Sequence, residues 1–169
     1  MQPEDILTSL AETAAVFAGF SGIVVALGAR SVTELSPVSR FRFANLLVIS
    51  VSTSLLAFAP LVLGAFSMAS SLIWAWSSAA LALFALLFLI TRSAMARRIR
   101  AAQVRLGRSW MAALMIFVLA GICVTQCANT IGWPLNRGAA LYVAGLFGLL
   151  IVSGLQFILL ALDSTPAEE

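Results

Sequence analysis

Glu12 is the residue whose type and setting could do chemistry. The stretch from Thr13 to Ala29 behind it carries no charge. A carboxylate inside an apolar helix is costly, so such groups pair, face water or mark an ion or proton route. Two readings are open. Glu12 lines a cation or proton pathway, or it stands near the end of a spanning helix and reaches the headgroups while Thr13 to Ala29 crosses. Those 17 residues rise about 25 Å, short but sufficient. The candidate partner of Glu12 is Arg137.

A second polar set lies further along. Cys123, Gln126, Cys127 and Thr130 follow i, i+3, i+4, i+7 spacing and so share a helix face, with Asn129 beside it. Ser153 and Gln156 occupy the next apolar segment. In lipid, buried amides and hydroxyls bond across helices, contributing roughly 1 kcal/mol each. Alternatively they line a route: Glu12, Gln126, Asn129, Thr130 and Gln156 are the candidate pathway residues. Asn45, near Arg42, is expected at the membrane interface.

Other chemistry has little support. Histidine is absent, which removes the usual base near neutral pH. Cys123 and Cys127 lie one helical turn apart with parallel side-chain directions, so no disulfide is expected. Two thiols without His or a nearby carboxylate make a poor metal site. There is no G-x-S-x-G motif, no P-loop and no base to activate a serine. We expect no enzyme, no cofactor and no metal.

The elements that position these residues are apolar helices. Of the 169 residues, 62% are hydrophobic and 10% charged, and the mean hydropathy is +1.05. A soluble domain carries roughly 25% charged residues, so lipid must be the solvent for most of this chain. Spanning takes roughly 20 apolar residues. Five segments meet or approach that length, at about 6–28, 43–66, 70–91, 110–131 and 139–162. The expectation is an all-α, polytopic transmembrane bundle forming one domain over 1–169, with four spans if the first helix is interfacial. Ser67-Met68-Ala69 suits a tight hairpin, and the Gly132–Gly138 stretch carries strong turn chemistry. Pro60 frees the Leu56 carbonyl, which a neighbouring helix or hydroxyl can satisfy. The N-terminus is acidic, unlike the basic start of a signal peptide.

Arginine placement orients the spans. All ten basic residues are Arg. Arg30, Arg40 and Arg42 fall between segments one and two, and Arg92, Arg97, Arg98, Arg100, Arg105 and Arg108 between three and four. Short basic loops stay cytoplasmic, so the N-terminus is expected outside and the C-terminus inside a bacterial cytoplasmic membrane. Trp74, Trp76 and Trp133 then fall at the outer boundary and Trp110 at the inner one, the region Trp prefers. The 92–108 connection continues segment three as a helix up to Gly107, its arginines meeting anionic lipid. It has no aromatic for base stacking, so no nucleic-acid partner is expected.

Segment one carries small residues at fourfold spacing, Ala14, Ala18, Gly22 and Ala26, with Gly19 and Ser21 nearby. Such rows let helices approach closely, within a chain or between copies. Taken whole, Ala11-Glu12-Thr13-Ala14-Ala15 followed by Phe17-Ala18-Gly19-Phe20-Ser21-Gly22-Ile23-Val24-Val25-Ala26-Leu27-Gly28 resembles small bacterial inner-membrane proteins. That resemblance covers the first quarter of the chain and implies location and helical architecture, with no activity attached. The leading expectation is a structural or accessory membrane component that self-associates or joins a larger complex. The alternative is an ion channel or small-solute carrier, lined by Glu12 and the polar residues of segment four.

Overall fold

The computed structural model describes residues 3–28, 37–101, 109–132 and 138–163. They form five helices: α1 (Pro3–Gly28), α2 (Pro37–Ala65), α3 (Ser70–Ala101), α4 (Ser109–Ile131) and α5 (Ala139–Asp163). No strand occurs among the described residues. Each helix is long and apolar enough to cross a membrane. The chain is an all-α helical bundle of the multi-pass membrane type.

Local chemistry sets the helix ends. Pro3 and Pro37 open α1 and α2, where the missing N–H costs nothing. Glu4 and Asp5 meet the positive end of the α1 dipole. After α2 the Ser67 N–H donates to Gly64 O at 3.0 Å, and Ser67 itself takes φ 55°. That left-handed residue reverses the chain into α3 within a few positions. Gly132 closes α4 at φ 80°, its N–H donating to Ala128 O at 3.0 Å. A left-handed glycine at that position is a standard helix stop.

α5 is the central strut. Its span is 50% buried within the bundle, against 28–39% for the other four. It packs on all of them, while α1 packs on α2, α2 on α3, and α3 on α4. Leu7, Leu46, Ile49, Leu81, Leu146, Leu149 and Leu160 are fully buried in the core. Leu55, Val62, Leu83, Phe117 and Val124 are more than half exposed. An apolar surface of that extent suits lipid and not water.

Two ends can be told apart. At one, the start of α1 lies beside the α2–α3 turn and the start of α5; this is the turn end. At the other, Arg40 and Arg42 stand in the first two turns of α2 and Arg92 lies on α3; this is the arginine end. Pro60 sits inside α2 near the turn end. The Leu56 carbonyl it frees accepts a hydrogen bond from the Tyr142 hydroxyl of α5. The kink-prone site is thus tied to the central strut, as the proline rule requires.

One sequence expectation is corrected. α2 starts at Pro37, so Arg40 and Arg42 belong to the helix instead of the connection before it. Asn45 is only 3% exposed and Arg42 8%. Both lie within the first three turns of α2, on its buried face. α3 continues through Arg92, Arg97, Arg98 and Arg100 to Ala101; the rest of the 92–108 connection lies outside the described residues.

Candidate functional site

The polar edge of α4 divides on folding. Asn129 is fully buried and ties three groups together. Its amide donates to Ser78 Oγ at 2.8 Å and to Gly138 O at 3.2 Å, and its Oδ1 accepts from the Gly138 N–H at 3.0 Å. The Gln126 amide donates to Leu141 O at 2.6 Å. Thr130, half-buried, donates back to Gln126 O on its own helix. Both cysteines are free thiols, Cys123 half-buried and Cys127 exposed.

This seam closes on glycine. A Cβ at Gly145 would lie 2.4 Å from Gln126 Nε2 and 2.9 Å from Leu81 Cδ2. A Cβ at Gly148 would lie 2.9 Å from Ile122 Cδ1. α4 and α5 approach so closely because α5 has no side chain there. These two glycines escaped the sequence reading, which sought small residues only in segment one. Their spacing, Gly145 and Gly148 on one face of α5, was the available signal.

A second buried polar group runs from the middle of the bundle toward the arginine end. Ser50 and Ser153 share a hydrogen bond at 2.6 Å. The Arg42 guanidinium donates to Leu159 O at 3.4 Å, and the Gln156 amide to Met115 Sδ at 3.0 Å. Ser39, Arg42, Asn45, Ser50 and Thr53 line the buried side of α2. Their recurrence every three to five residues was legible in the sequence, but the high hydropathy of α2 hid it. Asn45 Oδ1, Ser77 Oγ, Gln126 Oε1 and Gln156 Oε1 are buried without a hydrogen-bond partner among the described residues.

These polar residues do not join into one route. Gln156 follows Leu141, the partner of Gln126, by 15 residues on α5, a rise of about 22 Å. Leu146 and Leu149, fully buried, lie between. Glu12 is in neither group. Its side chain is exposed, on the side of α1 turned away from the bundle.

The depth of Glu12 follows from its neighbour. Ala11 O accepts from Ser54 Oγ at 2.9 Å, and Ser54 is near the middle of α2. Glu12 comes nine residues after Pro3, about 13 Å along the helix. The carboxylate therefore stands level with the middle of α2. It makes no hydrogen bond or ion pair among the described residues. Arg137, its candidate partner, lies outside them.

The small-residue row of α1 is not one seam. Ala14 is fully buried, Ala18 half-buried, and Gly22 exposed; the Ala26 side chain lies outside the described residues. A Cβ at Gly19 or Gly22 would meet nothing within 4 Å. Ser21, buried, donates to Ala18 O at 2.7 Å, and Phe17 meets Phe157 of α5 at 6.3 Å between ring centroids. α1 therefore docks through Leu7, Leu10, Ala14, Phe17 and Ser21, and turns its glycines outward.

Of the expected lipid-contacting arginines, Arg92 is half-buried, its guanidinium 5.3 Å from the centre of the Phe88 ring. The side chains of Arg97, Arg98 and Arg100, and all of Arg105 and Arg108, lie outside the described residues. No protein-family model matches the chain, and neither a curated protein nor a solved structure matches it.

Proposed function

We propose that this chain is a self-associating, non-enzymatic component of a bacterial cytoplasmic membrane, in which the outward face of α1 is the contact between copies. The observation that carries this is Glu12. Its carboxylate points away from its own bundle level with the middle of α2, where lipid hydrates nothing. Beside it, Gly19 and Gly22 leave backbone open to close approach. A second copy supplies what lipid cannot: a polar surface and a flat apolar one, matched in depth to the first. In this reading the arginine end faces the cytoplasm and the start of α1 faces outside, in keeping with the preference of basic segments for the cytoplasmic side. Arg92 and the arginines after it contact anionic lipid there.

The test is association in native membranes. Gly22→Leu is expected to reduce cross-linked multimers at least tenfold while the monomer remains folded. Undiminished cross-linking would remove α1 as the contact.

A further inference from the structure

We infer that the assembled α1 faces hold a cation site at Glu12, reached from the turn end along a polar half-passage and closed toward the arginine end by an apolar constriction. This rests on the self-association proposed above and adds to it a ligand class, small cations including the proton.

The outward face of α1 changes character once, at Glu12 and Thr13. From Glu4 to Thr13 every exposed residue is polar: Glu4, Asp5, Thr8, Ser9, Glu12 and Thr13. From Ala15 to Ile23 every exposed residue is apolar. The other helices behave differently at the same depth. Between mid-span and the turn end, α2 exposes Leu55, Phe58 and Val62, and α4 exposes Val124 and Ile131. Those side chains suit lipid. α4 adds Thr125 and Cys127 and α3 adds Trp76, but among the described residues exposed carboxylates occur on α1 alone, so something wetter than lipid covers that helix.

The polar half selects by charge. Thr8 donates to Glu4 O at 3.0 Å and Thr13 to Ser9 O at 2.7 Å. Their hydroxyl protons are committed to backbone, which leaves lone pairs for whatever faces the helix. Together with three carboxylates these are hard oxygen ligands, and α1 has no basic residue. That set attracts cations and repels anions. Glu12 is the deepest of them. Below it Val16, Phe20 and Ile23 are each more than half exposed, one helical turn apart. Brought around a common axis, they form the kind of apolar ring that gates by dewetting.

Purified protein in lipid vesicles tests this, with a pH-sensitive dye reading proton flux and a Na+ or K+ concentration cell reading metal cations. Multimers are cross-linked in the same vesicles. Wild type is expected to pass one or more of these cations and no chloride. Glu12→Gln is expected to lower flux per cross-linked multimer at least tenfold, and Phe20→Ala to raise it severalfold. Intact multimers with no cation flux, or with flux indifferent to Glu12→Gln, would overturn the cation site and leave self-association standing. Absence of multimers in the wild type would overturn the self-association beneath it.

Discussion

Two helices of this bundle carry a pair of glycines three residues apart, and only one pair is packed against a neighbour. On α5, Gly145 and Gly148 are pressed against Gln126, Leu81 and Ile122. On α1, Gly19 and Gly22 touch nothing. The polar neighbours divide the same way. Gln126 is buried and bonded to Leu141 of α5, and Asn129 to Ser78 of α3 and to Gly138 just before α5, while Glu12 is exposed and without a bond among the described residues. The first pairing is a finished interface, in which missing side chains admit a buried amide. The second has the same ingredients and no partner in the chain. Glycine in a spanning helix costs stability relative to alanine, so a glycine pair that packs nothing within its own chain points outside it.

The largest expected effect comes from closing the finished seam. Gly145→Val puts two methyls where Gln126 Nε2 and Leu81 Cδ2 already stand. Overpacking of this kind costs about 1–3 kcal/mol and occasionally more; a fall in thermal stability in detergent, with loss of a monodisperse particle, is the expected result. Asn129→Ala comes next. It strands the Gly138 N–H and its carbonyl together with Ser78, and stranded buried groups cost about 1–3 kcal/mol. Denaturation in graded SDS measures it. Ser153→Ala breaks the single bond to Ser50 and is expected to cost only about 0.6 kcal/mol, the size typical of such bonds in membranes. Smallest of all is the effect of Gly22→Leu on monomer stability. The added side chain meets open space, so the same denaturation curve is expected to superimpose on that of wild type while association falls. A large loss of monomer stability there would erase the contrast between the two faces.

The helices were legible because spanning leaves one solution. Long apolar runs between Gly, Pro and Arg clusters fix five helices before any contact is known. The role of Gln126 and Asn129 as buried polar residues was legible too, from their place on an otherwise apolar helix. Their partners were not. Leu141 O, Gly138 O and Leu56 O are backbone acceptors, and any residue supplies one, so no pattern of side chains announces them. α2 hid its polar side for a different reason. Arg42, Asn45 and Thr53 were diluted by the apolar residues that face lipid, which keeps the hydropathy of the segment high. The setting of Glu12 depended on where α1 begins. A span beginning at Thr13 leaves the carboxylate at its end, whereas the helix from Pro3 packs along α2 with Ala11, the residue before Glu12, against Ser54 near the middle of that helix. Which way a residue faces is set by the register against neighbouring helices, and that register is absent from composition.

The most direct test of the account is a cysteine scan along α1 from Ala14 to Ile23, with Cys123 and Cys127 replaced by alanine and disulfides formed in native membranes. The account expects cross-linked dimers to peak at Val16, Gly19, Phe20 and Ile23 and to fall at Ala14, Phe17 and Ser21, which α1 turns toward its own bundle. A flat profile across these positions, or maxima at the inward ones, would contradict it.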